Sequence, residues 1–276
     1  MVFKIGEFQC RVMTDGSRSV GSMTSGSPRR FIFGDVPEDE LNDSLRAHGG
    51  FDSSTILPFN YLLLEGYGHV TLLDTGCGDM AENEKYPNEP AGLLHSSLAE
   101  VGISVSDIDT VIISHSHWDH FGGAVIGGEA AFPNAEYVMS LKEAEHIRTN
   151  VKGWARNYLN IIRDRVRFVA DTAEVRPGIK VNLAPGHTPG IIVAEVSSGS
   201  ETLLYTSDLI IHKVHVNHVD WIPEFETDRA AAIESRRNLI EDSYMRGMHL
   251  FVPHIPGSLG RVIRDPTEYK WVNEYV

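Results

Sequence analysis

Two cysteines in 276 residues, Cys10 and Cys77, lie far apart and outside any C-x-x-C spacing. That scarcity excludes a disulfide framework and a cysteine-rich zinc site, and predicts two free thiols. Long apolar runs are missing as well. The opening stretch from Met1 to Cys10, interrupted by Lys4 and Glu7, is too polar for a signal peptide or a membrane span, which places the chain in the cytoplasm and off the membrane. Basic clusters are equally scarce: 24 Lys and Arg stand against 38 Asp and Glu, a formal net charge of -14. Such a chain repels nucleic acid and anionic lipid unless a local basic patch intervenes. The short pairs Arg29-Arg30 and Arg236-Arg237 are ordinary solvated surface rather than such a patch. No internal repeat and no long low-complexity linker divides the sequence, so residues 1–276 are read as one domain.

What is present suits a globular enzyme. The hydrophobic share of 42% supports a sizeable core. Residues 14–27 are rich in Ser, Gly and Thr and read as a mobile loop, with 14–30 a candidate lid over a site elsewhere. Two apolar runs at 61–65 and 70–74 flank Gly66-Tyr67-Gly68, the pattern of a hairpin. Helical spacing covers 93–101, and the β-branched run at 110–113 predicts a buried strand. Beyond it, 141–149 and 154–163 read as helices and 180–183, 191–196 and 202–205 as strands. Thr227 is the expected N-cap of a helix running through Ile233 and Leu239, and 249–252 is a last strand. Strands and helices alternate throughout, which argues for a layered α/β domain with helices outside paired sheets.

The chemistry concentrates in His115-Ser116-His117-Trp118-Asp119-His120, four metal-capable side chains within six residues. Imidazole nitrogens and carboxylate oxygens suit zinc and other first-row ions. Alternate residues of an extended segment share a face, so His115 and His117 can address one ion; Asp119 and His120 then project differently and can address a second beside it. Gly122 and Gly123 permit the tight backbone path beyond them. Isolated candidates lie downstream at strand ends: His187 in Pro185-Gly186-His187-Thr188-Pro189-Gly190, Asp208 after Ser207, and His254 after Pro253. Each alone is more often structural, a turn histidine or a capping aspartate. Three such residues in a chain that already carries the cluster favour the ligand reading.

In these motifs, together with Leu73-Asp74-Thr75-Gly76, the chain resembles the metallo-β-lactamase-fold hydrolases over nearly its full length. The resemblance implies a four-layer αββα sandwich with a metal site at one edge of the two sheets. It also implies His115, His117 and His187 on one divalent ion, Asp119, His120 and His254 on a second, and Asp208 bridging both. Asp74 is expected to support the site without ligating. Zinc is the leading metal, with iron, manganese or cobalt as alternatives. The implied chemistry is attack by a metal-bound hydroxide, with Asp119 and Asp208 as catalytic residues and Asp119 a candidate proton shuttle.

Asp208 stands where β-lactam-cleaving relatives usually carry Cys or Ser. The segments 208–212, 221–236 and 252–257 resemble the branch of quorum-quenching lactonases and methyl-parathion-hydrolase-like enzymes. Ile211 occupies the place where many acyl-homoserine lactonases have a tyrosine. The lead function is hydrolysis of a lactone or related carboxylic ester, with a homodimer as the family expectation. Alternatives are a phosphotriesterase, a thioesterase of the glyoxalase II type, a β-lactamase and a di-iron redox protein. Among His212, His215 and His218, His212 is the candidate for lining the site. Trp118, Phe121, Trp154 and Trp221 are candidates for an apolar wall, weighed equally against plain core packing.

Overall fold

The run Tyr61-Leu62-Leu63-Leu64 is buried on both faces. Strand alternation sends its side chains to two cores: Leu62 and Leu64 into one, Tyr61 and Leu63 into the other. That double burial sets the architecture. The computed structural model describes all residues except 47–49, 84, 152, 267 and 275–276.

The first half of the chain forms β1 (Val2–Ile5), β2 (Phe8–Ser19), β3 (Ile56–Gly66), β4 (His69–Leu73), β5 (Thr110–Ile112), a small hairpin of β6 (Val125–Ile126) and β7 (Glu129–Ala130), β8 (Glu136–Ser140) and β9 (Val166–Val169). All but the hairpin join one seven-stranded sheet in the order β1-β2-β3-β4-β5-β8-β9. The second half supplies β10 (Thr172–Arg176), β11 (Ile179–Leu183), β12 (Ile192–Ser198), β13 (Glu201–Tyr205), β14 (His249–Phe251), β15 (Leu259–Asp265) and β16 (Glu268–Asn273), a second seven-stranded sheet in chain order. Neighbours joined by short turns run antiparallel, as in β3 and β4, where Leu62 faces Leu73 and Gly66 faces His69. The parallel pairs, such as β4 with β5 and β13 with β14, need helical crossovers.

Eight helices complete the described elements used below: α1 (Val20–Met23), α2 (Pro28–Phe33), α3 (Glu38–Arg46), α4 (Leu94–Glu100), α5 (Trp118–Phe121), α6 (Leu141–Thr149), α7 (Gly153–Ile162) and α8 (Arg229–Arg246). Between the sheets, Leu62, Leu64, Leu73, Ile112 and Val138 of the first meet Val181, Ala194, Val196, Leu203 and Phe251 of the second. Outside the first sheet, Leu72, Val111 and Met139 pack with Leu94 and Leu98 of α4, Ile147 of α6 and Leu159 of α7. Outside the second, Val193, Leu204 and Leu250 pack with Leu239 and Ile240 of α8. The result is helix, sheet, sheet, helix, the αββα sandwich. Helices α1 to α3 form a further cluster in which Ile32, Phe33, Leu41 and Leu45 pack with Ile211, Val214 and Trp221.

Two local readings need correction. Residues 14–19 are not a loop but the end of β2, and residues 20–23 and 28–33 are helical. The polar composition misleads because its polar groups are bonded internally: Asp15 is fully buried and accepts the backbone N–H groups of Cys77, Gly92 and Leu94. Helix α8 is capped not by Thr227 but by Asp228, whose Oδ1 accepts from Ala230 N and Ala231 N. Thr227 instead donates its hydroxyl to the carbonyl of His187.

Candidate metal centre

The loops that leave β5, β11, β13 and β14 carry His115 to His120, His187, Asp208 and His254 respectively. These four strand ends bring the motifs together from both sheets. His115 and His117 lie on the extended chain after β5; His117 is the N-cap residue of α5 (φ -70°, ψ 155°), which places Asp119 and His120 on its first turn. One segment therefore aims at two points because an extended path becomes a helix in its middle. Gly122 and Gly123 do matter, through close approach rather than a special φ. A Cβ at Gly123 would stand 2.0 Å from the Thr75 carbonyl oxygen, and one at Gly122 2.4 Å from that of Cys77. Similarly, Gly186 (φ +144°) lets the His187 loop lie on α8, where a Cβ would meet Ala232 at 2.3 Å.

The ring nitrogens converge in two groups. His187 Nε2 is 3.2 Å from His115 Nε2 and 2.9 Å from His117 Nδ1. His120 Nε2 is 3.1 Å from His254 Nε2, and Asp119 Oδ2 lies 3.8 and 3.7 Å from those two nitrogens. Asp208 divides its carboxylate between them. Its Oδ1 is 3.1 Å from His120 Nε2 and 3.0 Å from His254 Nε2, while Oδ2 is 3.4 Å from His187 Nε2 and 3.9 Å from His115 Nε2. Within each group the potential donor atoms lie within 4.8 Å of one another. The buried Oδ1 of Asp208 has no hydrogen-bond donor despite these short approaches. Imidazole lone pairs and an unpaired carboxylate oxygen crowded this closely fit divalent cations between them.

Burial, then the neighbouring imidazoles, hold His115 and His117 well below the ordinary histidine range, which keeps them neutral and ready to donate a lone pair. Burial pushes Asp208 up, but His120 and His254 outweigh it and hold the carboxyl well below its usual range. It is ionised accordingly.

The opposite ring nitrogens are held by a second set of groups. Asp74, in the left-handed region at φ 63°, accepts from His120 Nδ1 at 2.8 Å, from Tyr205 Oη at 2.7 Å, and from Ser114 N and Oγ, both at 2.7 Å. His254 Nδ1 meets the Pro58 carbonyl at 3.0 Å, and His187 Nδ1 meets Glu226 Oε2 at 3.2 Å. Such partners select the tautomer and orient the ring. Asp74→Asn is therefore expected to weaken metal binding by roughly 10- to 100-fold, read by competition with a chromogenic chelator. Whichever way the amide turns, its NH2 replaces an acceptor: it faces the Ser114 N–H at the Oδ1 position, or Ser114 Oγ, His120 Nδ1 and Tyr205 Oη at the Oδ2 position.

Neither Glu226 nor Glu143 stands out in the sequence. The Glu143 carboxylate is fully buried and accepts from Ser116 N at 2.8 Å, Ser116 Oγ at 2.5 Å and Thr188 Oγ1 at 2.6 Å. It ties the His115–His117 segment to the His187 loop. A glutamate in the first turn of an amphipathic helix carries no sequence signal of this role.

Of the candidate wall residues, Trp118 lines a cavity of about 190 Å³ over the site, together with Met23, Phe31, Ile32, Leu57, Ile211 and Phe225. Ile211 thus presents an apolar face to the cavity. The other candidates lie elsewhere. Phe121 is fully buried, and both it and Trp154 pack in the aromatic group with Tyr158. Trp221 packs on Phe33 and stacks on His218, 3.8 Å between centroids. His212 does not line the cavity: it packs edge-on against Phe33 and Phe51, and its Nδ1 accepts from Val214 N. A larger, open cleft of about 790 Å³ beside Asp79, Lys85 and His95 contains none of the converging groups.

The family model for the Metallo-beta-lactamase superfamily matches residues 55–246. The chain belongs to that superfamily. As a superfamily member with two groups of His and Asp donors, it is a metal-dependent hydrolase built for two divalent ions. It is 28% identical over 210 residues to the N-acyl homoserine lactonase AiiA of Bacillus thuringiensis subsp. kurstaki, covering 67% of this chain and 76% of that one. A Bacillus cereus N-acyl homoserine lactonase is 27% identical over 215 residues, 68% of this chain and 80% of its own. Among solved structures, AidC, a dizinc quorum-quenching lactonase in complex with a product, superposes with a TM-score of 0.86 at 28% identity, over 100% of this chain and 97% of that one. The hydrolase AbOPH shares the fold at 21% identity, with a TM-score of 0.85 over the same shares. Among the described residues no helix is long and apolar enough to cross a membrane.

Proposed function

We propose that this protein is a dizinc lactonase that opens the ring of N-acyl homoserine lactones. His115, His117 and His187 would hold one zinc and Asp119, His120 and His254 the other, with Asp208 placed between the two groups to serve both. The carrying observation is that division of the Asp208 carboxylate beneath an apolar cavity. A bound zinc pair supplies Lewis acidity and a nucleophile at neutral pH. Water adds to the lactone carbonyl, the ring C–O bond breaks, and the product is a hydroxy acid. Asp119, whose side chain reaches the cavity wall, takes the proton from the attacking water and passes it to the departing ring oxygen. The apolar side chains of Met23, Phe31, Ile32, Leu57 and Phe225 take the acyl chain and exclude water. With a TM-score of 0.86, the dizinc lactonase AidC supports both metal and substrate.

The test is a zinc-loaded assay of acyl-homoserine lactones, aryl esters, phosphotriesters, β-lactams and lactoylglutathione. Lactone kcat/KM is expected to exceed every other class by at least about 10²-fold. A phosphotriester or thioester as the best substrate would replace the lactonase reading.

A further inference from the structure

A second cavity, of about 440 Å³, shares the wall Met23, Phe31 and Trp118 with the cavity over the metal-capable groups. Its chemistry differs. The first is lined mainly by aliphatic and aromatic side chains beyond the metal-capable groups; the second includes Arg18, Glu82, Tyr86 and Trp154. Arg18 is only 2% exposed, and among the described residues no carboxylate lies within 4.0 Å of its guanidinium. It donates to the carbonyls of Ser17 and Ala81 and to Asn83 Oδ1, and lies over the Tyr86 ring. Those three bonds leave part of its donor set unused. Glu89, which feels the Arg18 charge, is bonded to Ser19 and Ser22, and Glu82 pairs with Lys85 at 3.5 Å. A buried cation with no carboxylate beside it among the described residues is costly, and with donor capacity to spare it suits an anionic acceptor from outside the chain.

We propose that this cavity is a second compartment of the substrate site, in which Arg18 binds a carboxylate at the far end of a long acyl chain. The inference rests on the lactonase reading for the near end of the substrate. Met23, flexible and unbranched, forms with Phe31 and Trp118 the partition that the chain passes. Short acyl chains stay in the apolar cavity; long ones place their last carbon beside the guanidinium. The selected class is lactones of ω-carboxylated acyl chains, with methyl-ended chains of equal length the poorer ligands.

The test measures kcat/KM of the zinc-loaded protein for matched series of homoserine lactones, methyl-ended and carboxyl-ended, from short to long chains. Calorimetric binding of the ring-opened products is measured alongside. The wild-type protein is expected to favour the carboxyl end by roughly tenfold or more once the chain is long enough, with no preference in short chains. In Arg18→Met the ratio should fall to one or below, and in Arg18→Lys it should be partly kept. A ratio independent of length, a methyl preference at every length, or a ratio unchanged in Arg18→Met overturns the proposal. Because the length dependence is read on the wild-type chain, it decides the question even where a variant fails to fold. Product binding needs no turnover: inactivity toward every lactone with length-dependent carboxylate binding intact removes the lactonase reading alone.

Discussion

Asp208→Ala is expected to lower the bound metal from two ions per chain to one or fewer and to reduce kcat/KM by at least about 10³-fold, roughly 4 kcal/mol of barrier. Among the described residues, Asp208 is the single carboxylate whose oxygens face both groups, Oδ1 toward His120 and His254 and Oδ2 toward His187 and His115. Its negative charge offsets the mutual repulsion of two cations. Without it, five imidazoles and the Asp119 carboxylate must carry four positive charges. Metal analysis by mass spectrometry and a lactone ring-opening assay read both effects. Asp208→Asn separates charge from shape: it keeps the volume and one oxygen, and is expected to lose most of the same activity.

Arg236→Met is expected to destabilise the protein by about 3–5 kcal/mol, lowering the melting midpoint by roughly 10 °C. The guanidinium of α8 is 1% exposed and donates to the carbonyls of Leu209 at 2.6 Å, Val219 at 3.0 Å and Trp221 at 2.9 Å. Its Nη2 forms an ion pair with Glu226 at 3.5 Å, which is too long to count as a strong hydrogen bond. Burial pulls Arg236 down to about 10, still well above neutrality, so it remains a cation. Methionine fills much of the volume but takes the guanidinium donor from two buried carbonyls and one half-buried carbonyl and leaves the Glu226 carboxylate without its cation. Leu209 directly succeeds Asp208, and Glu226 holds His187. The variant should therefore bind metal less tightly as well as melt earlier, with thermal denaturation and chelator competition as the two readouts.

The sandwich is legible in the sequence because its strands are apolar on both faces and end in short polar motifs. The hairpin at 61–74, the helices at 93–101 and 141–149, and the strands at 180–205 all appear close to where periodicity puts them. Residues 14–19 read as loop because Ser, Gly and Thr weigh against a strand, whereas a register shift between Thr14 and Ser17 and the bonding of Asp15 keep them in β2. Positions that converge in the centre are readable where they sit in dense motifs or after apolar strands. Glu143, Glu226 and Arg236 are not, because a buried charge in a helix or loop looks like a solvated one until its partners are known. His212 shows the converse. Nearness in sequence to Asp208 suggests a site-lining role, but the chain turns after Ile211, leaving Ile211 on the cavity and His212 against Phe33 and Phe51.

The most direct measurement is a titration of the metal-free chain with zinc, following bound metal and lactone hydrolysis together. The site built around Asp208 predicts that binding saturates at two ions per chain and that full activity requires both. Saturation at one ion, or full lactone hydrolysis by the chelated chain, would contradict it.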